Sequence, residues 1–235
     1  MGNIYLGCSG WHYVHWRGVF YQQGTDLLAQ YARSFDSVEA NSTFYRFPTA
    51  TQLKKWDVLT PEHFVFAIKM NRHITHTKRL HNVQRSLSDF LTICSVLEQK
   101  LGPILIQLPA NFEKNLERFD EFLNLLPEHR FAFEFRSETW LQHDVEQLLR
   151  GRSNIAIVKL GSQSLDKAAD SANFTYIRWH ARGGALDDYS HEEIDYWAQR
   201  IQALSKEIDV FGYWNNDVHG YAPKDCLELK RKIGF

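Results

Sequence analysis

Cysteine is scarce in this chain: three residues in 235, Cys8, Cys94 and Cys226, odd in number and far apart. No C-x-x-C pair occurs, so a disulfide framework and a thiolate zinc site are both excluded. Buried free thiols in a reducing, cytoplasmic setting are the expectation. Long hydrophobic runs are also missing, and none approaches the roughly eighteen residues of a membrane span. No apolar run follows a basic segment at the start, where strand-forming residues begin at Ile4, so no signal peptide is expected. Nor does one sign of charge dominate. Lys and Arg number 27 against 28 Asp and Glu, a formal charge of −1. That balance argues against non-specific DNA binding over the whole surface and leaves room for a local basic site. A dinucleotide fingerprint is lacking too. Gly7-Cys8-Ser9-Gly10-Trp11 does not match G-x-G-x-x-G, and Trp11 would block close phosphate approach, so no nucleotide cofactor is expected.

What is present is a steady alternation of strand and helix signals. Candidate strands are Ile4–Ser9, Ser37–Ser42, Phe64–Met70, Pro103–Leu108, Phe131–Arg136, Ile155–Leu160, Phe174–His180 and Val210–Asn215. Most are continuous apolar runs rich in β-branched or aromatic residues, as required where both faces of a strand are covered. Helical stripes lie between them: Leu87, Phe90, Leu91, Cys94, Leu97 and Leu101, then Leu116, Phe119, Phe122, Leu123 and Leu126. Ser190 with Glu193 reads as a capping box, Gly151 as the stop of a helix over Leu141–Leu149, and Pro223 as part of the first turn of a last helix. Eight such units predict an α/β protein, a single (β/α)8 TIM-like barrel spanning residues 1–235. An eighth of the chain is about 29 residues, lean for this fold, so no second domain is expected. Between Leu160 and Phe174 the spacer is near the minimum for a parallel crossover, which predicts a reduced sixth helix, a loop or single turn around Asp166–Ala172.

The strands end in polar residues spaced two apart: Glu39 with Asn41, Lys69 with Asn71, Glu134 with Arg136, Arg178 with His180, and Asn215 with Asp217, while Gln107 stands alone before Pro109. Residues two apart on a strand share a face. A ring of strands with polar C-terminal ends on one face describes the mouth of a parallel barrel, where such folds keep their active sites.

These segments resemble the YecE-like family, also called domain of unknown function 72. The resemblance rests on Gly7-Cys8-Ser9-Gly10-Trp11 with Trp16, Gly18, Phe20 and Tyr21. It continues through Val38-Glu39-Ala40-Asn41-Ser42-Thr43-Phe44-Tyr45, Thr60-Pro61 with Phe64 and Lys69, and Ile74-Thr75-His76. Further blocks are Gln107-Leu108-Pro109, Glu134-Phe135-Arg136 with Trp140, Arg178-Trp179-His180, and Asn215-Asn216-Asp217 with Gly220. The match runs from Gly7 to about Leu229. It implies a TIM-like barrel whose polar mouth is built from these blocks, and it implies no activity. Ala181-Arg182-Gly183-Gly184 departs from the family pattern.

The residue types suggest acid–base chemistry on an anion. Glu39 and Glu134, from strands on opposite sides of a barrel, are the candidate acid and base, with His180 as a further acid or hydrogen-bond donor. Lys69, Arg136 and Arg178 would clamp an anionic group; Asn41, Gln107, Asn215 and Asn216 would orient hydroxyls; Asp217 would hold Arg178 or His180. The competing reading pairs each carboxylate with a cation, Glu134 with Arg136 or Lys69 and Asp217 with Arg178. A Schiff-base role for Lys69 is disfavoured, because an ion-paired lysine among carboxylates keeps its proton and is a poor nucleophile. Trp11, Tyr45 and Trp140 are the candidate rim aromatics, whereas Trp179 and Trp214 have the parity of outward-facing packing residues. His12 with His15 and His73 with His76 have metal-ligand spacing, but the cations at the strand ends oppose a metal, and none is expected. The sequence therefore points to an enzyme acting on a phosphorylated or otherwise anionic sugar-like ligand, nucleic-acid components included. The alternative is a non-catalytic binder of single-stranded nucleic acid or a small anion.

Overall fold

Strands covered on both faces must be apolar throughout, and the apolar runs form such strands in the computed structural model, which describes residues 1–24, 26–161, 172–183 and 188–234. Among the described residues nine strands appear: β1 Ile4–Cys8, β2 Ser37–Ala40, β3 Val65–Lys69, β4 Leu101–Leu108, β5 Phe131–Phe135, β6 Ile155–Ile157, β7 Lys159–Leu160, β8 Phe174–His180 and β9 Asp209–Asn215. Every pairing is parallel. One ladder runs β2-β3-β4-β5-β6 and the other β1-β9-β8-β7. The predicted sixth strand is one run of chain divided at Val158. Its first half pairs with β5 and its second with β8, so this segment passes the sheet from one ladder to the other.

At the remaining seam, between β1 and β2, a side chain does the joining. The buried Tyr31 hydroxyl accepts from the Cys8 amide at 2.7 Å and donates to the Ser37 carbonyl at 3.0 Å. The two backbones approach so closely at Gly7 that a Cβ there would lie 1.9 Å from the Ser37 oxygen, which leaves glycine as the one residue that fits. The result is a TIM-barrel-like α/β fold.

Among the described residues eight α-helices surround the strands: α1 Leu27–Tyr31, α2 Ser42–Tyr45, α3 Ala50–Leu59, α4 Gln84–Cys94, α5 Leu116–Leu123, α6 His143–Leu149, α7 His191–Leu204 and α8 Tyr221–Ile233. The Ser190–Glu193 capping box opens α7, Pro223 lies in the first turn of α8, and Gly151 takes a positive φ just past α6. The stripe ending at Leu101 overran its helix. The chain kinks at Glu98 and Leu101 already begins β4. The reduced helix expected over Asp166–Ala172 falls, apart from buried Ala172, outside the described residues. Cys8, Cys94 and Cys226 are free and buried, and no helix among the described residues is long and apolar enough to cross a membrane.

Two apolar layers result from strand alternation. Outward residues, among them Trp179 stacked on Trp214 at 4.6 Å and crossed by Trp197 of α7, pack under the helices. Inward residues fill the barrel unevenly. Small side chains Ala67, Ala132 and Ala156 face large rings from the opposite wall, Phe174, Tyr176, Phe211 and Tyr213. This large-against-small complementarity lets Tyr176 and Tyr213 reach across to β2, where their hydroxyls meet Glu39 and Ser37, both at 2.7 Å.

Tyr31→Phe keeps the ring and strands the buried Cys8 amide. Leaving that donor unsatisfied is expected to cost about 1–3 kcal/mol. Thermal unfolding should then fall by several degrees, and an unchanged midpoint would show that the seam closes without the hydroxyl.

Candidate functional site

The interior polar residues sit one layer above the aromatic fill, at the C-terminal ends of the strands. Arg178 of β8 is 1% exposed and reaches across the barrel. Its Nη2 donates to Glu39 Oε1 of β2 at 2.8 Å, and its Nη1 donates to Glu134 Oε2 of β5. Glu39, 0% exposed, also accepts the Tyr176 hydroxyl. The other oxygen of Glu134 lies 2.5 Å from Arg136 Nε and 3.4 Å from His180 Nε2. Burial is the largest single influence on both carboxyls and acts to raise them, but the opposing influences, led by Arg178, together outweigh it. For Glu39 Arg178 is helped by Lys69 and the Tyr176 hydrogen bond, and for Glu134 by the bond from His180 and the charge of Arg136. Both end below the ordinary range, so they contribute stability above the unfolded carboxyl pKa that is lost on acidification through the folded one. Burial alone would lower Arg178, and the two carboxylates raise it instead.

Around this buried triad stand groups with access to the opening. His180 is oriented by Asn215, whose Nδ2 lies 3.0 Å from Nδ1, while the ring's Nε2 faces Glu134 Oε1, Arg136 Nη2 and Arg178 Nη1, each at 3.4 Å. The Tyr189 hydroxyl fixes the His180 carbonyl at 3.0 Å. Lys69 of β3 is half-buried, donates to Gln107 Oε1 of β4 at 3.0 Å, and sits 4.5 Å above the Phe44 ring of α2. Burial lowers its pKa and Arg178 lowers it further; Glu39 and Glu134 pull back, and the outcome is about 8. Asn41 takes a different part, its amide donating to the Ser9 carbonyl at 3.0 Å and tying the ends of β1 and β2.

Other expected members lie elsewhere. Asp217 holds neither Arg178 nor His180. Its carboxylate is 3.9 Å from His15 Nε2, and its carbonyl accepts from His15 and Trp16. Asn216 turns away and donates to buried Asp225 of α8 at 2.7 Å. Trp140, expected at the rim, is 1% exposed; it stacks on Phe135 and donates its indole N–H to the Phe112 carbonyl, because a 3-10 turn over Glu138–Trp140 folds it under the helices. Trp11 is half-buried against Trp56 and Phe66, whereas Tyr45 is 69% exposed on α2.

Sequence reading missed two features. Tyr176 shares a face with Arg178 two residues on, and that parity was the available signal. The second is a basic run after β3. Between Glu62 and Asp89 there is no carboxylate, while Lys69, Arg72, Lys78, Arg79 and Arg85 and three histidines after Lys69 fall there. Among the described residues Arg72, Lys78 and Arg79 make no ion pair, and the segment contains a wide turn closed by the Lys78 amide on the His73 carbonyl. Among the described residues no cluster of three or more His, Cys, Asp or Glu could hold a metal ion.

The model of a protein family of unknown function, DUF72, matches residues 5–235. The chain belongs to this family. Over 135 residues it is 33% identical to the UPF0759 protein YecE of Escherichia coli K12, a match covering 57% of this chain and 48% of YecE, so the matched region is about half of that relative's length. To YunF of Bacillus subtilis 168 it is 25% identical across 96% of this chain and 94% of YunF. Among solved structures, a DUF72 protein of Thermotoga maritima superposes with a TM-score of 0.83 at 24% identity, covering 99% of this chain and 100% of that one. One from Enterococcus faecalis V583 superposes at 0.84 and 19%, covering 99% and 96%. D-psicose 3-epimerase of Clostridium cellulolyticum H10, solved with D-tagatose, is similar at a TM-score of 0.54 and 8% identity over 97% of this chain and 95% of that one, a likeness of fold.

Removing the cation that spans the DUF72 barrel leaves two buried carboxylates short of a partner. Arg178→Met is expected to cost about 3–5 kcal/mol in denaturant unfolding, and a loss below 1 kcal/mol would mean that the triad relaxes without strain. Asp225 behaves oppositely. Burial pushes its carboxyl up to about 7, against the hydrogen bonds from Asn216 and the Tyr189 amide. A raised acid binds its proton more tightly in the fold, so stability drops as pH climbs from about 4 to about 7, by up to about 4 kcal/mol, and is flat above. Asp225→Asn keeps an acceptor for both donors. It should match the wild type near pH 4 and exceed it at pH 8, measured by unfolding at both pH values.

Proposed function

We propose that this DUF72 barrel is an enzyme acting on a phosphorylated or otherwise anionic sugar-like ligand, nucleic-acid components included, by proton transfer at the C-terminal mouth. The observation that carries the reading is the layering of charge. The negative groups Glu39 and Glu134 have side chains 0% and 1% exposed, whereas Arg136 is 40% and His180 20% exposed. With Asp217 turned to His15, three fixed cations, Lys69, Arg136 and Arg178, stand against two carboxylates, a surplus of one positive charge. A ligand arriving from solvent therefore meets cations first, and the fork of Arg136 suits a planar or tetrahedral oxyanion.

In this reading Arg136 and Lys69 hold the anionic group, and Gln107 and Asn215 orient hydroxyls. His180 moves the proton, with Glu134 Oε1 facing its Nε2 at 3.4 Å. Glu39 acts through Arg178, which it keeps in place. Tyr45 offers its ring to a sugar or base. The basic run from Arg72 to Arg85 favours a second reading, a non-catalytic binder of single-stranded nucleic acid, in which the same mouth continues onto a polyanion track.

The test is thermal shift with inorganic phosphate, sugar phosphates and a short single strand, in wild type and Arg136→Met. Ligand at about 100 times its dissociation constant adds about 2.7 kcal/mol to stability, a shift of several degrees at this size. A sugar phosphate that stabilises wild type and is bound at least tenfold more weakly by Arg136→Met supports the enzyme reading. Response to the oligonucleotide alone, steeply salt-dependent, favours the binder. No response to any anion would sink both.

A further inference from the structure

Lys69 is placed in a way that an anion clamp does not require. Both buried carboxylates are taken by arginines, Glu39 by Arg178 and Glu134 by Arg178 and Arg136. The hydrogen-bond acceptor left for Lys69 Nζ is the neutral amide of Gln107, and among the described residues Lys69 makes no ion pair. Its outer side lies over the Phe44 ring, and its strand end is fixed by the Thr43 hydroxyl donating to the Lys69 carbonyl at 2.7 Å. An amine held rigidly, half-buried and hydrogen-bonded to a neutral amide instead of a carboxylate is placed to act as a nucleophile.

We propose that Lys69 is a nucleophilic residue that forms an imine with the carbonyl carbon of an aldose, a ketose or their phosphates at the barrel mouth. The proposal rests on the reading of the mouth as a site for sugar-like ligands and specifies the functional group attacked. The step balances without a co-reactant. The Nζ lone pair forms the N–C bond and one amine proton moves to the carbonyl oxygen, giving a carbinolamine. The hydroxyl then leaves with the second amine proton as water, giving the imine. Protonated, that imine withdraws electrons from the neighbouring carbon and acidifies its C–H bond, a proton that His180 at the same mouth would take in this scheme.

The charged groups facing Lys69 come from each element around it. Burial, then Arg178 on β8 and Arg136 just after β5, disfavour the ammonium; Glu39 on β2 and Glu134 on β5 favour it; His76, beyond β3, is lowered by burial first and then by the charges of Lys69 and Arg72. With its pKa lowered to about 8, roughly a tenth of the molecules hold a free amine at pH 7. A solvent-exposed lysine near 10.4 holds far less.

The experiment is reductive trapping on the intact wild-type chain. Protein is incubated at pH 7 with dihydroxyacetone or dihydroxyacetone phosphate, reduced with cyanoborohydride, digested and mapped by mass spectrometry. Each trapped lysine gains the mass of the ketone less one oxygen atom. Lys69 should be modified at least tenfold faster than any surface lysine, with a midpoint in pH near 8. In Gln107→Glu the neutral acceptor becomes a carboxylate, which restores the ammonium and should slow trapping at pH 7 by about tenfold per pKa unit regained. Modification spread evenly over the lysines, or a Gln107→Glu rate equal to wild type, overturns the proposal. The neutral ketone separates the two claims. Trapping at Lys69 by dihydroxyacetone with no advantage from the phosphate supports the imine while counting against the anion site. Anion binding lost in Arg136→Met with Lys69 unreactive leaves the anion site standing and removes the imine.

Discussion

One guanidinium organises this barrel. Arg178 leaves β8, crosses the interior and binds a carboxylate from β2 and another from β5, so three strands widely separated in sequence meet at a single planar group. Buried ions tolerate little freedom, because each must keep its partners or bear the cost of desolvation. The positions of Glu39, Glu134 and Tyr176 follow from that demand, and so do those of Arg136 and His180 on the outer oxygen of Glu134. Small alanines on one wall give the aromatic rings of the other the space to lie beneath it.

The same interaction divides the labour among the charges. By consuming both carboxylates, Arg178 leaves Lys69 with an amide for company and Arg136 with its outer face towards solvent. A scaffold of inward negative and outward positive charge is fixed before any ligand arrives, the condition under which electrostatic recognition needs little reorganisation. Glutamates that looked in sequence like an acid–base pair thus sit deepest in the network, and the lysine and the histidine stand nearer the opening.

Much of this was legible in the sequence, and the limits have physical causes. Glu39, Lys69, Gln107, Glu134, Arg178 and His180 were found because alternation along a strand is a rigid rule, and it holds to the last residue of β9, Asn215. It fails one step later. Asn216 and Asp217 lie past the strand, where the backbone turns into the entry of α8, and spacing no longer reports direction; they face Asp225 and His15 instead. Trp140 failed for the same reason, standing on a 3-10 turn after β5. The Tyr31 seam could not be read either, since closure by a side-chain hydroxyl from a five-residue helix leaves no periodic trace. The blocks matching the DUF72 family supplied what periodicity could not, a single fold for the whole arrangement.

The split at Val158 and the tyrosine bridge at Ser37 divide the wall into two staves, one running from β2 to β6 and the other from β7 to β1. Glu39, Lys69, Gln107 and Glu134 belong to the first; Arg178, His180 and Asn215 belong to the second. Neither stave carries a complete mouth. Arg178 is thus a clasp as well as a counter-ion, drawing the two halves of the mouth into register.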